Sequence, residues 1–281
     1  MNDSLEPKRR KTLLGRTLQW VFLPLLGVYV LFSIWFYLFQ ETVLLRPNAE
    51  PTGYVPEPSL KPSMDVLLEP PEAKINVQKF DAPTDPPKGV VFYLHGNRGN
   101  IHLCLWEVKP FVDAGYDVWT MDYRGFGKST GRLSEAALLA DAQMVYKRIR
   151  EEIDEEDIVV WGRSFGTGIA AYIASVNSPK TLVLETPYCS FPDAVCHSRP
   201  YVPPFLLRYR LPTNEYLGYV DCTVHLIHGT KDEKIDFSSS QRLEKRCLEL
   251  EMKVLFHPIQ NGQHNLRPES DFEIVLKEIL E

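Results

Sequence analysis

The stretch that decides how this chain reads is Ile158-Val159-Val160-Trp161-Gly162-Arg163-Ser164-Phe165-Gly166-Thr167-Gly168-Ile169-Ala170-Ala171-Tyr172-Ile173. It begins as a short apolar run, Ile158 to Trp161, with the composition of a buried parallel strand. It ends, from Phe165 to Ala174, as a helix with small residues to set against a sheet. Between them lies Gly162-Arg163-Ser164-Phe165-Gly166, a G-x-S-x-G pentapeptide. Such a turn is too tight for side chains on both sides of the serine. Glycines at 162 and 166 remove the Cβ atoms that would clash and leave Ser164 at the mouth of the helix. The first helical turn then offers unpaired N–H groups and a positive dipole end where an oxyanion would form. A plain structural turn is the competing reading, and the strand before and helix after favour a nucleophile elbow.

Working outward, strands and helices alternate. Upstream, Met64 to Leu68, Ile75 to Phe80, Val90 to Leu94 and Tyr116 to Met121 read as strands. Leu103 to Ala114 reads as a helix ending at Gly115, and Ser134 to Arg150 as another, with Ser134 as N-cap and Glu135 in the first turn. Downstream, Thr181 to Leu184, Val224 to Ile227 and Lys253 to Phe256 read as strands. Phe237 to Leu248 and Pro268 to Leu280 read as helices. This alternation predicts an α/β protein with a doubly wound, mostly parallel sheet. Reactive groups in such sheets gather beyond the carboxyl ends of the strands.

A serine hydroxyl is a weak nucleophile until a base takes its proton and a carboxylate orients the base. Downstream of Ser164, the strand Val224 to Ile227 leads into His228-Gly229-Thr230-Lys231-Asp232. Asp232 follows the strand end through a glycine turn and is the candidate acid. Glu233, Asp236 and Asp221 are nearby competitors, and a surface-turn aspartate is the bland reading. After the next strand comes Asn261-Gly262-Gln263-His264-Asn265, and His264 is the candidate base among seven histidines. His257 on the strand is read as structural, as are His95, His225 and His228, with packing or loop hydrogen bonds as their default. The oxyanion donors are expected to be the backbone N–H of Phe165, just after the nucleophile, and that of Asn97 in the loop after Val90 to Leu94. Gly96 is expected to allow a close backbone approach there.

These residues carry a family resemblance. Tyr93-Leu94-His95-Gly96-Asn97-Arg98-Gly99-Asn100-Ile101, Asp122-Tyr123-Arg124-Gly125-Phe126-Gly127-Lys128-Ser129-Thr130-Gly131, the elbow, His228 to Asp232 and His264 together resemble the α/β-hydrolase superfamily of serine hydrolases. Within it they resemble the membrane-anchored, serine-aminopeptidase-like branch. The resemblance covers roughly residues 74–281 and implies an α/β-hydrolase fold with a Ser164/Asp232/His264 triad. It also implies hydrolysis of an acyl ester, thioester or amide, with no metal and no organic cofactor. Asp122 to Gly131 is read as loop architecture, with Arg124 paired internally. Thr223 stands where many relatives have proline, a departure without expected chemical consequence.

The chain has 281 residues and a formal net charge of −6. Its mild acidity argues against a nucleic-acid partner, since no basic domain is present to neutralise phosphates. The cysteines, Cys104, Cys189, Cys196, Cys222 and Cys247, form no C-x-x-C pair. Cys189 and Cys196 share a loop-like stretch and could pair in an oxidising compartment.

Near the N-terminus, Lys8, Arg9, Arg10, Lys11 and Arg16 precede a window, Thr17 to Gln40, that contains no charge. About 20 apolar residues span a bilayer core as a helix. Trp20 and Trp35 to Tyr37 suit its interfaces. A cleaved signal peptide is the rival, but its apolar core is usually shorter and no A-x-A-like site follows Phe39. The expected organisation is a cytoplasmic basic tail (1–17), a single transmembrane anchor (18–39), a Pro-rich connector (40–73) and a hydrolase domain (74–281). A cap insertion is placed at about 186–220. The positive-inside bias puts the N-terminus in the cytoplasm and the domain across the membrane.

The insertion from Pro187 to Pro212 holds six prolines and an apolar, basic patch around Tyr201 to Arg210. It reads either as an ordinary short cap or as one that meets the bilayer and admits an acyl chain. The anchor and short connector keep the site close to lipid, which raises the local concentration of lipid-like or lipidated substrates. The leading functional expectation is a membrane-anchored serine hydrolase cleaving an acyl ester or thioester of a small molecule, a lipid or a lipidated protein. The alternatives are a serine peptidase or amidase of the same fold, and a catalytically idle hydrolase fold serving as a binding protein at the membrane.

Overall fold

The computed structural model of the protein describes residues 8–50, 60–97 and 99–281, with side chains from residue 19 onward. The first seven residues of the basic tail, the side chains of Lys8 to Leu18, the 51–59 part of the connector and Arg98 lie outside the described residues.

The sheet has eight strands: β1 (Met64–Leu68), β2 (Ile75–Phe80), β3 (Val90–Leu94), β4 (Asp117–Met121), β5 (Ile158–Arg163), β6 (Thr181–Glu185), β7 (Thr223–Gly229) and β8 (Val254–Ile259). Their order is β1-β2-β4-β3-β5-β6-β7-β8. β1 and β2 run antiparallel to their neighbours, and β4, β3, β5, β6, β7 and β8 are mutually parallel. β3 and β4 are buried along their whole length, and β3 accordingly reads as an unbroken apolar run without alternation. Leu94, Gly162, Leu184, Leu226 and Phe256 stand in one pairing line across β3, β5, β6, β7 and β8. The segments that carry chemistry all leave the sheet just beyond that line.

The helices are α1 (Lys8–Gln40), α2 (Leu105–Asp113), α3 (Glu135–Ile149), α4 (Gly166–Ser175), α5 (Phe191–Ser198), α6 (Thr213–Tyr216), α7 (Ser238–Glu249) and α8 (Ser270–Leu280). Two apolar clusters fill the two faces of the sheet. One packs beneath α3 and α4, the other beneath α2 and α8. Ser134 caps α3 by accepting the Ala137 N–H at 3.2 Å. The insertion after β6 is more ordered than its prolines predict. Ser190 caps α5 by accepting from Asp193 N at 3.3 Å, and Pro192 sits in the first turn, where a missing N–H costs nothing.

All five cysteines are free thiols. Cys189 Sγ donates to Ser239 O and Cys196 Sγ to Val202 O, both at 3.4 Å, so the two are engaged with different partners and do not pair.

α1 is long and apolar enough to cross a membrane. It does not end in a free linker. Phe39 (φ −113°, ψ 15°) breaks its α geometry, and Glu41–Leu45 continues as a single π-helical turn closed by Arg46 N–H to Glu41 O at 3.0 Å. Arg46 is left-handed (φ 50°) and turns the chain away. Phe36, Leu44 and Leu45 are buried against the domain. Asn48 and Glu50 then exchange backbone hydrogen bonds with Gly127 at 2.8 Å each. The first part of the connector is thus packed against the sheet-bearing domain.

Candidate active site

Ser164 occupies the turn between β5 and α4 with φ at 50°, a backbone conformation rare for residues other than glycine. A Cβ at Gly162 would lie 2.5 Å from Gly166 O and one at Gly166 would lie 2.1 Å from Leu94 O. The neighbouring residues must therefore be glycine for α4 to approach β5 and β3 this closely. The strained turn is held by Ser164 N–H to Glu185 O (2.8 Å) and by Thr167, whose N–H and hydroxyl both donate to Ser164 O.

His264 comes from the loop between β8 and α8. Its Nε2 lies 2.9 Å from Ser164 Oγ, and its Nδ1 lies 2.7 Å from Asp232 Oδ2. With Nδ1–H donating to the carboxylate, Nε2 is left to accept the serine proton. Burial holds the His264 pKa below its ordinary value of 6.5, against the opposing pull of Asp232. The ring is therefore neutral at neutral pH. Burial works to raise the Asp232 pKa, but hydrogen bonds from His228, His264 and the Ile235 N–H outweigh it and hold the carboxyl well below the usual range.

The loops bearing Asp232 and His264 are interlocked. A Cβ at Gly229 would lie 2.2 Å from Gly262 O. Lys231 N–H donates to Gly262 O and Asn261 N–H to Thr230 Oγ1, both at 2.9 Å. The competing carboxylates are occupied elsewhere: Asp236 accepts the Ser238 N–H at 2.8 Å, and Asp221 accepts from Ser178 Oγ at 3.1 Å. Glu233 lines the cavity beside Ser164.

Several residues here were not singled out by their sequence context. His228, fully buried, shares Asp232 Oδ2 with His264: its Nε2 lies 3.2 Å from that oxygen and its Nδ1 2.6 Å from Ser240 Oγ. An Nε2–H tautomer satisfies both contacts, so Asp232 is oriented from two sides. Arg163, between the elbow glycine and the serine, pairs with Glu107 (2.7 Å) and Glu185 (3.2 Å). Glu185 also accepts from Trp161 Nε1 (2.9 Å) and Arg267 (3.1 Å). Burial works against the Arg163 charge, but Glu107 and Glu185 outweigh it and keep the pKa raised. This network joins the elbow, the end of β6 and the loop that carries His264.

Opposite, the loop after β3 brings Asn97 to the same cavity as Ser164 and His264. Neither the Asn97 nor the Phe165 N–H is used in the backbone hydrogen-bonding of the described residues. The Asn97 side chain does not face the serine. Its Nδ2 donates to Leu44 O at 2.8 Å, in the π-turn after α1. The loop is supported from below by Asp122, which accepts the Ile101 N–H at 2.8 Å, and by Tyr123, whose hydroxyl donates to His95 O at 2.8 Å. A Cβ at Gly127 would fall 2.0 Å from Asp122 Oδ2, so that glycine makes room for the carboxylate. Burial raises the Asp122 pKa to about 6. Arg124 pairs with Asp141 at 2.7 Å, the internal pairing expected of it. A Cβ at Gly96, by contrast, would meet Ser164 Cβ at an ordinary 3.6 Å, so no close approach demands glycine there.

The cavity has a volume of about 240 Å³. Leu44 and Asn97 form one wall, Phe191 and Val195 of α5 another, and Ser198 and Arg199 stand at the end of α5. Among the described residues, no group of three or more His, Cys, Asp or Glu side chains is arranged to hold a metal ion.

Fold and site together define a class: an α/β-hydrolase sheet with a serine on its elbow and a histidine and aspartate in line behind it. The sequence profile described as "alpha/beta hydrolase fold" matches residues 89–215. Over that stretch the chain has the α/β-hydrolase fold. Lysophosphatidylserine lipase ABHD12 of Danio rerio is 30% identical over 177 residues, which are 55% of this chain and 46% of that protein. Protein ABHD12B of Homo sapiens is 29% identical over 210 residues, 63% of this chain and 56% of that one. The chain spans about half the length of the curated relatives it matches. Among solved structures, an esterase of Pyrococcus furiosus superposes with a TM-score of 0.64 at 18% identity, covering 83% of this chain and 94% of that chain. An acylaminoacyl peptidase of Pyrococcus horikoshii superposes at 0.62 with 16% identity, over 78% of this chain and 40% of that chain. At these identities the structural likeness speaks to the fold alone.

Proposed function

We propose that the protein is a serine ester hydrolase acting on a lipid-like carboxylic ester from a single-pass membrane anchor. The observation that carries this reading is the continuous line from Ser164 Oγ to His264 Nε2 (2.9 Å) and from His264 Nδ1 to Asp232 (2.7 Å) beside an open cavity. Ser164 Oγ attacks the ester carbonyl carbon while its proton passes to His264 Nε2. The carbonyl oxygen, now an alkoxide, is held by the N–H groups of Phe165 and Asn97. Collapse of this intermediate breaks the carbon–oxygen bond, and His264 returns the proton to the leaving alcohol. Water then attacks the acyl-serine by the same route and releases the acid. Asp232, oriented by His228, keeps the imidazole in the tautomer that can accept.

The lipid preference rests on the apolar walls of the cavity, on α1 and on the lysophosphatidylserine lipase relatives. Among the described residues, Glu233 is the only carboxylate lining the cavity, which favours esters over substrates held by a free amine. Basic residues before the apolar window favour an N-terminus in the cytoplasm and a hydrolase domain on the opposite side.

The test is fluorophosphonate labelling of the full chain, followed by turnover of acyl esters, thioesters and arylamides with Ser164→Ala as blank. An adduct on Ser164 and turnover of esters ahead of arylamides are expected. A folded chain that takes no label, or equal turnover by the variant, overturns the enzymatic reading. Protease protection of the domain in sealed vesicles checks the orientation.

A further inference from the structure

Two apolar surfaces meet where α1 enters the domain. One is α1 itself, whose large side chains from Trp20 to Phe39 are mostly exposed. The other is the cap loop 199–206, which follows α5 and carries Tyr201 (61% exposed) and Phe205 (74% exposed). The loop does not project into open space. It lies along α1: the Tyr201 ring packs on Phe32 at 6.0 Å, Leu206 O accepts from Gln40 Nε2 at 3.1 Å, and Arg208 N–H donates to Gln40 Oε1 at 2.9 Å. Phe36, midway, is buried.

The polar groups of this junction lie at its domain end, where Gln40 is bonded into the cap and Glu41 pairs with Arg208 and approaches the Tyr209 hydroxyl. From there to Phe32 is eight residues, about 12 Å of helix. One leaflet's share of a bilayer core is about 15 Å. If Gln40 and Glu41 mark the hydrocarbon boundary, a ring packed on Phe32 lies well inside the leaflet. The three prolines of the loop, Pro200, Pro203 and Pro204, lack backbone donors that lipid would leave unsatisfied. Other exposed apolar side chains, such as Leu248 and Ile274, lie on α7 and α8.

We propose that loop 199–206 is a second membrane-contact element, inserting Tyr201 and Phe205 into the hydrocarbon of the same leaflet that α1 enters. This rests on the reading of α1 as a span. Its consequence for the site is direct. Arg199, where the loop begins, and Leu44, just past the end of α1, both line the Ser164 cavity. The start of the loop and the end of the helix thus both border the cavity that an acyl chain drawn from the leaflet would enter.

The experiment uses the full chain in phosphatidylcholine–phosphatidylglycerol vesicles. Nitroxide labels are placed through Tyr201→Cys, Phe205→Cys and, as a control, Leu248→Cys, with the unsubstituted chain giving the background from native cysteines. Alkaline extraction is run in parallel to test whether α1 is integral. Labels at 201 and 205 should be reached by oxygen in preference to a nickel chelate, with the reverse at 248. If α1 resists extraction while 201 and 205 respond like 248, the loop proposal fails and the span stands. If alkali releases the chain, both fail. As a second readout, the Tyr201→Ser, Phe205→Ser double variant should lower the ratio of vesicle-borne long-chain to soluble short-chain ester turnover about tenfold. An equal fall in both activities points to a packing role and overturns the proposal.

Discussion

The two sides of the Ser164 site are held by different physics. On the inner side, Arg163, Glu107, Glu185 and Arg267 form a buried ionic network tying the elbow to the loop of His264. On the outer side, the cap and the loop after β3 are held to the end of α1 by hydrogen bonds to backbone and by one partly exposed ion pair, Glu41 with Arg208. Charges out of water are costly to leave unpaired, so the inner joint has a single tolerable geometry. The outer joint is cheaper to disturb. The attacking groups are thus held rigidly, while the loop after β3 and the cap take their position from the end of α1.

The largest effect expected on the inner side is from Asp232→Asn. It leaves the shape intact but lets both His264 and His228 adopt the wrong tautomer, and kcat should fall by about 10⁴. A loss under tenfold, read with a soluble ester, breaks the assignment. Next, Glu185→Gln leaves two buried arginines short of a counter-charge and should cost about 3 kcal/mol in denaturant unfolding. A change under about 1 kcal/mol would show the network to be incidental.

Acidity probes the same side. Because burial lowers the His264 pKa in the fold, the native ring binds fewer protons than the unfolded one just below 6.5. Stability therefore falls as pH drops from about 6.5 towards the folded value, and His95, lowered by burial to about 4, acts in the same direction. Activity falls in the same sense, since a protonated Nε2 cannot accept from Ser164. The acid limb of kcat/KM should be centred below 6.5, and a centre above it contradicts the burial argument.

Outer-side changes should be smaller. Asn97→Ala keeps the backbone N–H but frees the loop from Leu44 O, and kcat should drop about tenfold with little change in KM. Loss confined to KM would make this contact one of substrate binding. Glu41→Gln should be smallest, under about 1 kcal/mol in unfolding, because the pair is partly exposed. An effect as large as that of Glu185→Gln would erase the contrast between the two sides.

Much of the inner side was legible in the sequence. Strand runs, the elbow glycines and the late histidine are local signals, and a parallel sheet brings strand ends to one edge, so Ser164, Asp232 and His264 converge without knowledge of packing. The partners of Arg163 were not legible, because a charge at a strand end does not announce whether Glu107 or Glu185 will face it. His228 looked like a strand residue, and only the turn through Ile235 shows that it reaches Asp232. Helix α5 was masked by prolines, although Ser190 and Asp193 carry a cap signal. The outer side was the least legible. Proline-rich composition points to a spacer after the span, whereas burial of Leu44 and Leu45 depends on cap residues over 150 positions away.

The π-turn and left-handed Arg46 leave no swivel between helix and catalyst. A tether lets an enzyme sweep a hemisphere; a shaft mortised into the catalytic wall does not. With the shaft held in a bilayer, the serine would travel at one constant height, and its search for substrate would be two-dimensional.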